Sequence, residues 1–430
     1  MSQFTNFPNG FLAGITVRGL PILQSQPGNV YWVDNSPAKG GQGTNSQRFT
    51  GGSDNNPGTF QKPLATIAQA FALCTNGNGD IIMVKPGHCE YINAAFSLTT
   101  PGSPPVYDPT GATVVSTGGS SGYNLTFNTS DVAVIGLGSG NARPTIVWET
   151  ATTATLQVSA AGCSIQNFRF IAAFAAIATA FKLVGGSTTT STVTAAASGL
   201  PTYFNAAGTT TGTVYSGAAL AGGTTTVPGT QIVQALPGVA ATAWQISPNQ
   251  AAVASFTAIT GPQDFDIENC DFIDAGTALN FLAGVTTDAT ANAADGLRVV
   301  GCNHYSIASS GAISLIKLGA AIARITATDN FSVSAAAITG GAIIAGGANN
   351  MTLANIGRNK VYRPTVTAST AIVVSSSSTA CTGLMYDNYG WCLGATTLLI
   401  STGTVLGFAN NFCSITGTAD KQATQNPLLT

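Results

Sequence analysis

The densest group of residues able to do chemistry is the stretch GPQDFDIENCDFIDAG, which carries Asp264, Asp266, Glu268, Asp271 and Asp274. A strand has a two-residue period, so Asp264, Asp266 and Glu268 share one face while Phe265 and Ile267 point inward. Carboxylates placed that way stand ~7 Å apart. A pair ~5 to 9.5 Å apart can hydrolyse a glycosidic bond, and a base beside Ca²⁺ or Arg can eliminate across one. Asp271 and Asp274 continue past a corner, so the five acids form a candidate glycan or cation site, a hard cation such as Ca²⁺ being the suitable metal. The same acids also suit a solvated outer strand, and no Arg adjoins them in sequence. That plainer reading is preferred, and no catalytic residue is assigned.

Other reactive groups are sparse. Arg358, Lys360 and Arg363, with Tyr362 among them, form the densest basic patch. In a chain of net charge -2 it gives little counterion release, which argues against nucleic acid and for a salt bridge to a neighbouring subunit. His88 lies in a Pro-Gly-His turn and His304 beside an Asn, neither with a nucleophile motif, so both are read as structural. The eight cysteines include no CxxC pair, which predicts small buried hydrophobes and no metal site. Gly136, Gly138 and Gly140 in GLGSGNARP fit neither G-x-G-x-x-G nor a P-loop, so no cofactor is expected.

The elements that must position these groups are set by composition and repetition. Only 32 of 430 residues are charged (15 basic, 17 acidic), 7% against the ~25% of an ordinary domain. The longest apolar run, Phe170 to Phe181, is too short for the ~20 residues of a membrane span. With 44% hydrophobic residues, the chain should bury a large core. MSQFTNFPNGFLAG shows no charged region followed by an apolar one, which predicts synthesis in a cytoplasm.

Residues 1–57, rich in Gly, Asn, Ser and Pro, read as an extended arm. Pro63, Leu64, Ile67, Phe71 and Cys74 then predict a short helix near 63–74, ended by Asn76-Gly77-Asn78-Gly79. After it, β-rich runs recur with an Asn near each corner. Asn269, Asn303, Asn330, Asn359, Asn388 and Asn411 follow at steps of 34, 27, 29, 29 and 23 residues, one solenoid coil each. Stacked Asn side chains would bond one another between coils. Residues 183–263 hold 81 positions without a charge and read as a β-rich excursion that meets another surface, with Tyr203, Tyr215 and Trp244 as candidate subunit contacts. The expected fold is all-β: arm, capping helix, parallel β-helix over 58–418, and a tail at 419–430 with no capping helix of its own.

The segment GTFQKPLATIAQAFALCTNGNGDIIMVKPGHCEYI resembles the opening of pectate-lyase-like right-handed β-helix proteins, where a helix caps the first coil ahead of a G-D-x-I-x-V-x-P-G-x-x-x-x-I strand and turn. The matching positions are Gly79, Asp80, Ile82, Val84, Pro86, Gly87 and Ile92. The arm NFPNGFLAGITVRGLPILQSQPGNVYWVDNS is similar to the N-terminus of a group of tailed-phage virion proteins. The likeness covers about residues 6 to 92, with only the coil pattern beyond. It implies a virion structural protein, commonly trimeric, of capsid-decoration, spike or tailspike type. The arm would bind a major capsid protein or a tail component, and a host-surface glycan is a further partner. Two alternatives stay open: a tailspike polysaccharide depolymerase using the acids near 264–274, and a non-catalytic glycan-binding adhesin using aromatics such as Tyr203, Tyr215, Trp244 or Trp391.

Overall fold

Alternating apolar and polar positions between turn residues become three long parallel sheets in the computed structural model. It describes residues 15–17, 20–22, 28–35, 52–92, 106–107, 114–115, 125–149, 155–158, 160–183, 186–188, 191–194, 202–205, 210–211, 220–221, 231–236, 243–247, 253–260, 262–287, 294–307, 310–311, 313–334, 337–338, 341–363, 371–378, 381–392, 398–400, 407–415 and 418–422. The chain visits the sheets in turn: Ser164–Gln166 lies in sheet I, Arg169–Ala172 in sheet II and Phe181–Leu183 in sheet III. The next visits, Asp266–Glu268, Asp271–Asp274 and Ala283–Thr287, pair in parallel with those strands. Among the described residues sheets I and II each contain ten strands and sheet III eight. The protein is thus mostly β with long parallel sheets, compatible with a solenoid. Among the described residues the one α-helix is Ile67–Leu73.

Two corners bound sheet I, and both use left-handed backbone. Asp131, Gly162, Asp264, Gly296, Arg324 and Leu353 have positive φ before its strands, and Gly383 has it at the start of one. Asn167, Asn269, Gly301, Asp329, Arg358, Asp387 and Asn410 have it after them. Asn, Asp and Gly tolerate this region best, which is why they recur at such intervals.

The residue after the second corner turns inward, and there the Asn stack needs correcting. Parallel backbone bonds place Phe168, Cys270, Cys302, Asn330, Asn359 and Asn388 in one inward column. Asn269 is the left-handed residue before the column, and Asn303 sits on the following strand. Counted on the column, the first two steps from Cys270 are 32 (302 − 270) and 28 (330 − 302), smoother than the expected 34 and 27. Asn330, Asn359, Asn388 and Asn411 are buried and form a continuous ladder. Each of the first three donates backbone N–H and Nδ2 to the Oδ1 of the next at 2.8–3.1 Å. Where the ladder ends the core becomes aromatic: Phe127, Phe170, Phe181, Phe265 and Phe272 pack with ring centroids 5.0–6.3 Å apart.

The helix begins later than its spacing predicts. Asp54 accepts from the Ala65 and Thr66 backbone N–H groups and holds them extended, and Leu64 bridges to Val33. Thr66 caps the helix, its hydroxyl accepting from Gln69 N. Helix residues Ile67, Ala70 and Phe71 are buried, and Phe71 packs on Phe127 at 4.7 Å. Part of the expected arm joins the sheet, Val30–Val33 pairing with Ile81–Val84 as the end strand of sheet I. At the other end, Thr418–Gln422 folds back antiparallel on Phe412–Ile415. The uncharged excursion forms an antiparallel sheet built from strands such as Ser191–Thr194, Tyr203–Asn205, Ala243–Ser247 and Val253–Thr260. It is inserted between a sheet III strand and the next sheet I strand.

Candidate functional site

The five acids divide between two sheets. Asp266 and Glu268 point outward from sheet I, and the register sets Arg298 directly beside Asp266 on the next coil. Arg298 Nη1 lies 3.4 Å from Asp266 Oδ2 and forms a closer pair with Glu268. Burial nevertheless raises the Asp266 carboxyl above its ordinary value, with Arg298 opposing. Asp264 occupies the corner and pairs with Arg324 at 3.0 Å. Asp271, on sheet II, pairs with Arg143 and accepts from Asn303 Nδ2 at 2.8 Å. Asp274 is buried and accepts from Phe281 N, Ser306 Oγ and Ile307 N. The cations that meet these acids come from other coils, which linear adjacency does not reveal. Among the described residues no three Asp, Glu, His or Cys side chains converge as a metal site requires.

The basic patch also divides by strand alternation. On Lys360–Arg363 the inward positions are Val361 and Arg363, so Arg363 is wholly enclosed and is not exposed for a subunit contact. Lys360 and Arg358 remain outside. Arg358 forks onto Asp329, Nε donating to Oδ1 at 2.7 Å and Nη2 to Oδ2. Its Nη1 also donates to the Tyr386 hydroxyl at 3.0 Å. Arg358 and Lys360 line an open cleft of about 520 Å³ with Asp329, Asn330, Phe331 and Asp387. Beside it runs an aromatic series on the outer face of sheet II: Tyr305, Phe331, Tyr362, then Tyr389 and Trp391, with centroids 5.6–6.2 Å apart. Of these, only Trp391 was anticipated as an exposed aromatic. The signal for Tyr305 and Tyr362 was the repeat alignment moved one residue on, which puts Ile273, Tyr305, Val333, Tyr362 and Trp391 in register, while Phe331 and Tyr389 share the neighbouring outward column with Lys360.

Both histidines are enclosed. His88 Nδ1 accepts from Asn35 N at 3.0 Å, so its Nε2 carries the proton and donates to Glu90 Oε1 at 2.9 Å. That oxygen also accepts from Ile67 N at 2.7 Å, so the Pro-Gly-His turn ties the first coil to the helix N-terminus. Asp80 plays a matching part, accepting from Asn29 N, Thr75 N and Asn78 Nδ2. His304 is buried near Arg363, and the two effects lower it to about 4. Six cysteines (Cys74, Cys89, Cys163, Cys270, Cys302 and Cys381) are free thiols, and burial pushes Cys163 up to about 12. Phe204 lies opposite Trp244 on the excursion sheet, where Tyr203 and Trp244 are half-buried. Tyr215 lies outside the described residues.

No protein-family model matches the chain, and no curated protein matches it in sequence. Among solved structures it is similar to a rhamnogalacturonan lyase, with TM-score 0.29 and 11% identity over 88% of this chain and 87% of that one. A second similarity is to ORF18 of Geobacillus virus E2, with TM-score 0.23 and 10% identity over 80% of this chain and 55% of the other. A third is to a GH136 lacto-N-biosidase from Eubacterium ramulus, with TM-score 0.27 and 8% identity over 89% and 67%.

Proposed function

We propose that the chain is a right-handed parallel β-helix acting as a structural, surface-binding component of a virus particle. It would be a capsid decoration or spike, attached through its N-terminal arm and assembled as a homotrimer. The observation that carries this reading is the use of the acidic segment. Asp264, Asp266, Glu268 and Asp271 each face an Arg from another coil, so they join coils instead of presenting a base and an acid to a substrate. The particle assignment draws on the resemblance of residues 6 to 92. Incubating the purified chain with capsule polysaccharides should release neither reducing ends nor unsaturated products. Release that Asp266→Ala or Glu268→Ala abolishes would replace this reading with a depolymerase. Because Val30–Val33 belongs to sheet I, the anchor test removes only residues 1–27, and particle attachment should then be lost.

A further inference from the structure

The outer face of sheet II carries one column that stays apolar over successive coils: Ile171, Ile273, Tyr305, Val333, Tyr362 and Trp391, in direct register. It continues at its other end through Val147 to Tyr91. Each of these side chains is at least partly exposed. The comparable outward column of sheet III reads Gln157, Lys182, Thr286, Lys317, Ala345 and Ser375, so an apolar ridge is not a requirement of the fold. At ~4.8 Å per strand the ridge is roughly 35 Å long, and with the adjoining Phe331, Tyr389 and Phe412 it covers on the order of 500 Å². A patch of that size stands at the upper end of what a monomer exposes, and such patches are often functional. It also approaches the ~800 Å² that each partner contributes to a standard interface.

We propose that this ridge is the contact between copies of the chain, a second molecule laying its own ridge alongside. The proposal rests on the structural reading above and names the face on which the assembly is built. Three observations select this occupant. The ridge follows the stacking direction through eight strands, and a second copy presents the same ridge at the same pitch. The neighbouring rings are inclined to one another by 43–62° and alternate with Ile and Val, which suits interdigitation and offers no coplanar platform to a sugar polymer. Charge beside the ridge is compatible with self-association: Arg143 and Arg358 are paired within the chain, and Arg169 lies in direct register with Asp271. Lys360 and Asp387, which flank the cleft and make no ion pair among the described residues, are complementary to the same two groups on another copy.

The test is the mass of the full chain in solution at ~10 μM by light scattering. The wild type should be at least twice 43.2 kDa, and three times 43.2 kDa for the homotrimer. Ile273→Glu combined with Tyr362→Glu should weaken association at least 100-fold, with the β-type circular dichroism spectrum retained. Should that variant not fold, Val333→p-benzoylphenylalanine in an otherwise wild-type chain keeps the test open, since photolysis should join two copies through sheet II peptides. A monomeric wild type, a folded double variant of unchanged mass, or crosslinks mapping elsewhere would each overturn the proposal. Loss of glycan binding at unchanged mass would reassign the ridge to a saccharide. Polysaccharide cleavage by the wild type would instead sink the structural reading and leave the mass result standing.

Discussion

Replacing Asn359 by Ala removes four buried hydrogen bonds at once. Its Oδ1 accepts from Asn330 N and Asn330 Nδ2, both at 3.0 Å, and its Nδ2 donates to Ala327 O at 2.8 Å and Asn388 Oδ1 at 2.9 Å. The losses are unequal. Asn330 Nδ2 keeps Val299 O, and Asn388 Oδ1 keeps the backbone N–H of residue 359. Asn330 N is left with no acceptor in a site that is 1% exposed. An ordinary bond contributes about 1 kcal/mol and a stranded buried donor costs about 1–3, so the change should destabilise by roughly 4–5 kcal/mol. That exceeds nearly all single substitutions.

Urea unfolding followed by circular dichroism reads this, with Asn303→Ala as the control. Asn303 is also an Asn of the repeat, but it lies outside the ladder and makes a 2.8 Å bond to Asp271, so its loss should cost about 1 kcal/mol. If the two variants unfold at the same urea concentration, the ladder does not hold the coils together and the reasoning fails. Asn359→Asp should also be destabilising, since it presents a carboxylate to Asn388 Oδ1 in place of a donor.

His304 makes acid stability measurable. Its folded value, about 4, lies below the ~6.5 of an unfolded chain, so the stability of the neutral form is complete above ~6.5 and is lost as pH falls through ~4. The wild type should lose about 3 kcal/mol more than His304→Leu between pH 7 and 4, and parallel pH profiles would refute this. Gly301 has φ 65°, and a Cβ there would lie 2.7 Å from Asn269 Oδ1, whereas Gly347 has φ 57° with open space around it. Gly301→Ala should therefore cost about 2–3 kcal/mol and Gly347→Ala about 1, as read by thermal melting; equal losses would show that the close approach is relieved freely.

The repeat length, the mostly β class and the opening helix were legible because they rest on periodicity and turn chemistry, both local properties. The exact column was not, since Asn serves two adjacent corner positions for different reasons. Asn269 is there for its tolerance of positive φ, and Asn330 for its amide. Sequence alone cannot separate the two uses, and Cys270 and Cys302 in the same inward column disguise it further. The acidic segment was visible as a cluster, but its cations were not, because Arg143 is 128 residues from Asp271 in sequence. Arg363 was grouped with exposed cations because three charges in six residues look like a patch until strand alternation turns one of them inward.

The buried Asn ladder lies inside the sheets, so it does not replace surface Lys and Glu; its role is to join coils. The few charges on sheets I and II do much the same from outside. Arg298 reaches Asp266 and Glu268, Arg324 reaches Asp264, and Arg358 reaches Asp329, each across stacked strands or corners. Neutralised in this way, they contribute little net field at a distance. A long apolar ridge on a surface with so little unpaired charge lacks the repulsion that keeps ordinary proteins apart in solution. Restoring that repulsion beside the ridge by Thr145→Lys, at an outward position of sheet II in direct register with Arg169, should therefore separate copies while leaving the ridge itself intact.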